Sequence, residues 1–370
     1  MMKRHIATVA ALAGCAIGLA TPAMAATSAS AKPAAAAAIP AGLRPYSTSW
    51  LTPQRGIVLG YLKRAPGAKP YLISTGNGGK TWQSLPAPAV PFPADQDQPS
   101  VTWQDGAIAA TDGTHLYATV SQGKHWTAER LAGLSGSYFV SQVDITDGRV
   151  FALVTTNTSA VVYAGKPAGG VLRAVPGLSI KGPDAGAYGD MTTVGGPLQV
   201  DLGNNYTSEK YWYSRDGVHF TAAKLPCPVS TFTMLGGVRS GKNIALCNGS
   251  PSDIGLGQND KQVFIAAKLG GAFKSSGPEF DSSNTLDFAT ASAQDMTLVT
   301  TFAVYVSLNA GKSWTAKIPQ NNGASWFGLT FPSATTGYVV CNTFNNQLKE
   351  VDTLYRTTNG GRAWQAVRLP

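Results

Sequence analysis

Three carboxylates recur at one place in short, similar stretches: Asp144-Ile-Thr146, Asp190-Met-Thr192 and Asp287-Phe-Ala289. Trp50 takes the same place in Trp50-Leu-Thr52, and Gly328 takes it in Gly328-Leu-Thr330. Equal register in equivalent strands gives equal side-chain direction, so these groups should converge. Carboxylates about 5 to 10 Å apart are the machinery of glycoside hydrolysis. Joined by carbonyl oxygens, they instead hold Ca²⁺. The plainer use of a strand carboxylate is to accept hydrogen bonds from backbone or from water in a channel.

Other chemistry is less well supplied. Of the four histidines, His125 and His219 sit in turns and His5 lies in the leader, so His115 stands alone with no Cys or carboxylate at ligand spacing. A zinc site is not expected, nor any cofactor. Ser74 to Thr81 reads S-T-G-N-G-G-K-T and ends like a phosphate loop, but its first glycine is missing and a strand follows. A helix N-terminus to cradle phosphate is therefore absent.

The elements that must position the acids are read from a repeat. Thr357-x-Asn359-x-Gly361-x-Ala363-Trp364 places an Asn-Gly-Gly turn between two strand-like runs, and Thr75-x-Asn77-x-Gly79-x-Thr81-Trp82 is nearly the same text. Ser307-x-Asn309-x-Gly311-x-Ser313-Trp314 keeps every key position, while Thr119-x-Ser121-x-Gly123-x-His125-Trp126 has serine as the turn acceptor. Ser214-x-Asp216-Gly-Val-His219-Phe220 is one residue shorter. Asn and Gly accept the positive φ of a tight turn, and the Asn side chain bonds the turn backbone. Degenerate copies around Gly169-Gly-Val-Leu172 and Gly270-Gly-Ala-Phe273 fill the gaps, so the closing residues recur about 47 positions apart, the length of a propeller blade. Strands are short, alternating or apolar, with no 3.6-residue period. The expected fold is all-β, a seven-bladed β-propeller of four-stranded antiparallel blades.

The turn text resembles the Asp-box (BNR) repeat, S-x-D-x-G-x-T-W, of sialidase-like and sortilin-like propellers. The resemblance implies structural roles for Asn77, Trp82, Ser121, Trp126, Asp216, Phe220, Asn309, Trp314, Asn359 and Trp364, with the aromatics buried at equivalent positions and facing away from any ligand. It does not bring sialidase chemistry. Leu43-Arg44-Pro45 is the nearest text to the arginine motif of those enzymes and lacks its aromatic, and the chain has only four Glu: Glu129, Glu209, Glu279 and Glu350. The loops between second and third strands vary most and share a face with the starts of the inner strands. The candidate ligand site therefore combines Trp50, Asp144, Asp190 and Asp287 with Tyr206, Asn248 and Asn345 from those loops.

At the N-terminus, Lys3-Arg4-His5, an apolar run from Ile6 to Ala20 and Ala23-Met-Ala25 read as a secretory signal peptide over 1–25. The alternative is lipid anchoring through Cys15 in Leu12-Ala-Gly-Cys15. Residues 26–44 are an Ala/Pro-rich linker and 45–370 the propeller. Without Lys3 and Arg4 the chain keeps 27 basic and 20 acidic residues, with no run of four cations, which excludes a nucleic-acid groove. Of Cys227, Cys247 and Cys341, the first two fall within one repeat and can pair, or stay buried thiols. These features together point to a secreted monomer without a membrane span, a binding or scaffold propeller for a cell-surface glycan or protein. The alternative is a glycoside hydrolase of the Asp-box propeller type.

Overall fold

The computed structural model describes residues 38–370 apart from 64, 94–98, 105, 183–186, 205–206, 229–231, 250–259, 283–284, 320–324 and 345–349. The expected leader and most of the expected linker lie outside the described residues, as do Tyr206 and Asn345. Seven sheets follow one another along the chain, each built around four consecutive antiparallel strands, with the short strand Arg130–Leu131 added in parallel to the outer edge of the third, and the described residues contain no helix. Blade 1 shows the pattern: Arg44–Trp50, Gly56–Tyr61, Pro70–Thr75 and Gln83–Leu85, paired in that order. The first strands of blades 2 to 7 are Ser100–Gln104, Phe139–Thr146, Tyr188–Thr192, Phe232–Arg239, Thr285–Thr290 and Ser325–Thr330. Each first strand packs against the next, and the seventh packs against the first, which closes the ring. The molecule is a seven-bladed β-propeller, as the repeat spacing predicts.

The second strand of each blade lies between its neighbours on both faces. Gly56–Tyr61, Ala107–Thr111 and Leu198–Asn204 are buried at every position, which explains why they read as continuous rather than alternating runs. Among the described residues no strand is shared between the last blade and the first. Side chains close that seam instead: Trp50 stacks on Tyr338 with ring centroids 3.4 Å apart and an interplanar angle of 2°. The Tyr338 hydroxyl donates to the carbonyl of Pro53 at 2.7 Å, and Arg356 Nη1 donates to that of Gly78 at 3.2 Å. The Trp50 ring also lies over its cross-strand partner Gly56, where a Cβ would fall 2.2 Å from the indole, so only glycine fits.

The repeat turns are built by their own side chains. In blade 6, Ser307 Oγ donates to Asn309 Oδ1 and accepts the Gly311 N–H, while Asn309 Oδ1 accepts the Ser313 N–H at 3.0 Å. Blades 1 and 7 repeat this network around Thr75 and Asn77 and around Thr357 and Asn359. Ser121 takes the same role in blade 2 and Asp216 in blade 4. The glycine at the heart of the turn has φ of 86° at Gly79, 82° at Gly311 and 90° at Gly361. One expectation needs correction. Trp82, Trp126, Phe220, Trp314 and Trp364 are equivalent in placement but only half-buried, because each stands at the start of the outer strand, at the edge of its sheet. Cys227 and Cys247 form a disulfide with Cα atoms 5.4 Å apart, and Cys341 is a buried free thiol.

Candidate functional site

Asp144, Asp190 and Asp287 line one cavity of about 620 Å³ on the propeller axis, together with residues from all seven inner strands. The acids stand near the middle or the far end of their strands, and the lining runs on to the turns joining first and second strands, through Leu51, Thr193 to Gly196, and Pro332. None of the described lining residues comes from the loops between second and third strands. The expected face is therefore corrected: among the described residues, the acids share a cavity with the turns, not with the variable loops. Asn248 lies at the loop end of its strand, buried beside Thr285, whose hydroxyl is 3.4 Å from Asn248 Oδ1. It is not part of the cavity. Trp50 borders the cavity, with its ring stacked on Tyr338 and its Nε1 donating to Thr48 Oγ1 at 2.6 Å.

Among the described residues the inner strands of adjacent blades make no ladder with each other, so their backbone groups need other partners. Side chains supply them around much of the ring. Ser47 and Ser49 in blade 1 accept the N–H groups of Val101 and Trp103 in blade 2. Gln142 in blade 3 grips Met191 in blade 4 twice, accepting its N–H at 2.8 Å and donating to its carbonyl at 2.6 Å. Asp190 accepts the Leu235 N–H of blade 5 at 2.6 Å, and Asp287 accepts the Leu329 N–H of blade 7 at 2.9 Å. Two of the three acids are thus staples between blades. Blade 3 gives that task to Gln142, two residues before Asp144 and on the same side of the strand. Asp144 is left with a long contact of 3.4 Å from the Thr193 hydroxyl.

Each acid is enclosed by protein yet partly open to the cavity. Burial pushes Asp144 up to about 7, with the charge of Asp190 adding to it and the Thr193 hydroxyl working against it. Burial likewise raises Asp287 to about 7 and Asp190 to about 6, against the lowering effect of the N–H groups each accepts. Behind Asp190, across the strand pair, Asp201 is fully buried and raised well above the usual range by burial. Arg239 ends the inner strand of blade 5 and is fixed by two carbonyls, Nε on Thr290 and Nη2 on Phe331, both at 2.8 Å. The sequence reading missed Gln142, Thr193 and Arg239. Gln142 was within reach, because period-two alternation puts it beside Asp144; Arg239 carries no local signal.

No group of three or more His, Cys, Asp or Glu side chains among the described residues is placed to hold a metal ion. No described helix is long and apolar enough to cross a membrane.

The class that fold and cavity define is a β-propeller with a polar axial pocket. No family model matches the chain, and no curated protein matches it in sequence. Solved structures do match in fold. One is YCF48 bound to a D1 peptide, 15% identical with a TM-score of 0.55, covering 88% of this chain and 96% of that one. Another is a PL25 ulvan lyase, 10% identical with a TM-score of 0.56, covering 89% and 96%. A prolyl endopeptidase structure is 13% identical with a TM-score of 0.54, covering 88% of this chain and 49% of its own. At such identities the shared property is the propeller itself.

Proposed function

We propose that this chain is a secreted, non-catalytic binding propeller built on an Asp-box-like repeat, with its pocket on the axis. The observation that carries this reading is the fate of the three acids. Asp190 and Asp287 are bonded to the backbone of neighbouring blades, so no pair of free carboxylates remains for acid and base roles across a glycosidic bond. What remains is one uncommitted carboxyl, Asp144, in a cavity with a few polar groups converging on it, the composition of a binding pocket. The N-terminal leader pattern supports secretion, and propeller neighbours that hold a peptide or a sulfated glycan support either partner class. The hydrolase reading keeps one point in its favour, since Asp144 at about 7 is in the range of a general acid.

A glycan array and a peptidoglycan pull-down with the secreted chain test the proposal. Binding that Asp144→Asn abolishes, with no release of sugar products, is the expected result. Turnover of any bound glycan that Asp144→Asn stops would replace it with the hydrolase reading.

A further inference from the structure

The strands alternate in direction, so the turns joining first to second strands and those joining third to outer strands lie on one face. In blades 1, 6 and 7 the two kinds of turn are hydrogen-bonded to each other, through Gly78 and Gln54, Ala310 and Gln294, and Gly360 and Thr335. Every third-to-outer turn carries an exposed cation on this face. Lys80, Lys124, Lys312 and Arg362 each follow the turn glycine directly, and Lys166, Arg215 and Lys268 occupy the turns of blades 3, 4 and 5. Arg55 and Lys242 add exposed charge from the inner turns. Among the described residues of these turns, the exposed or half-exposed acids are Asp147, Asp216 and Asp295. Asp216 is held by His219 Nδ1 at 2.6 Å and Asp295 by Arg362 at 3.5 Å. Cations scattered through the sequence are thus gathered by the fold into a ring.

Three exposed aliphatic side chains stand on the same turns. Val120 is 61% exposed, Val218 54% and Leu308 41%, in blades 2, 4 and 6. Soluble polyanions offer such groups nothing, whereas the headgroup–acyl boundary of a bilayer takes up both Lys or Arg and protruding aliphatics. Shape points the same way. A linear polymer crosses a ring along one diameter and meets two or three blades, while a plane meets all seven. We infer that the turn face docks on a bilayer surface carrying anionic lipid headgroups.

Flotation of the secreted chain, without residues 1–25, with phosphatidylcholine vesicles, with and without phosphatidylglycerol, tests this. Each surface cation near anionic lipid is worth about fivefold in affinity, so Lys124→Gln/Lys312→Gln/Arg362→Gln should bind phosphatidylglycerol vesicles about a hundredfold more weakly. Raising salt from about 0.1 M to about 0.5 M should release the wild type. Val120→Ser/Val218→Ser/Leu308→Ser should also weaken binding. Should the first triple variant misfold, Lys166→Gln/Lys268→Gln asks the same question on other turns. Equal partitioning of wild type and well-folded charge variants would overturn the inference. So would serine variants that bind vesicles like wild type in a chain that holds soluble polyuronate as tightly, because the partner would then be an extended polyanion.

Discussion

The Asp190 carboxylate accepts the Leu235 N–H at 2.6 Å across the divide between blades 4 and 5. An acid that looks like a ligand group from the channel is thereby a joint between two sheets. Asp190→Ala removes the joint and leaves a buried N–H without a partner, at a cost of about 1 to 3 kcal/mol. Asp190→Asn keeps an acceptor and should recover most of that loss. Urea unfolding of both variants at pH 5, where the wild-type acid is largely neutral, measures the difference.

Stability should fall as pH rises from about 4 to about 7. The folded values of Asp144 and Asp287, about 7, and of Asp190, about 6, lie above the ordinary carboxylate value near 4. Within that window the folded chain binds more protons than the unfolded one, so each rise in pH favours unfolding, and the full cost is present above pH 7. Thermal melts at pH 5 and pH 8 should show the higher Tm at pH 5. Asp144→Asn should raise Tm at pH 8 and leave it nearly unchanged at pH 5.

Trp314 stacks on Phe280 with centroids 5.7 Å apart and is only half-buried. Trp314→Ala should therefore cost about 2 to 3 kcal/mol, less than the ~3 to 5 of a fully enclosed large aromatic. Ligand binding on the axis should survive in the protein that folds. Loss of binding at unchanged Tm would assign the turn aromatics a functional role.

The Cys227–Cys247 bridge spans 20 residues, from the approach to blade 5 to its second strand. Cys247→Ser with Cys227→Ser should lower stability by about 3 kcal/mol, read from denaturant midpoints with and without reductant. Wild type in reductant should approach the variant.

The fold was legible because blade identity rests on local text. Asn309, Gly311 and Trp314 make a turn through contacts within eight residues, so their spacing alone announces it. Convergence of the three acids was legible for the same reason, through strand register. Their use was not, because it depends on which residue of the next blade faces each oxygen. Gln142 relieves Asp144 of a task that Asp190 must perform, and nothing in either local sequence says so. The end of the channel on which the cavity lies was also out of reach, since loop variability points to one face and the lining residues lie toward the other.

The contact of Trp50 with Tyr338 is expected to close late when the chain folds. Each blade is one consecutive stretch, so its ladders close short loops and form quickly. The bond from Tyr338 to Pro53 instead joins groups 285 residues apart. Closing a loop of that length costs roughly 2 kcal/mol more than closing one of about 20 residues. That penalty falls on one seam made of side chains rather than on a shared strand. The seam is expected to be the last contact made and the first to part. Stopped-flow refolding of Tyr338→Ala should show early phases at wild-type rates and lose only the slowest one.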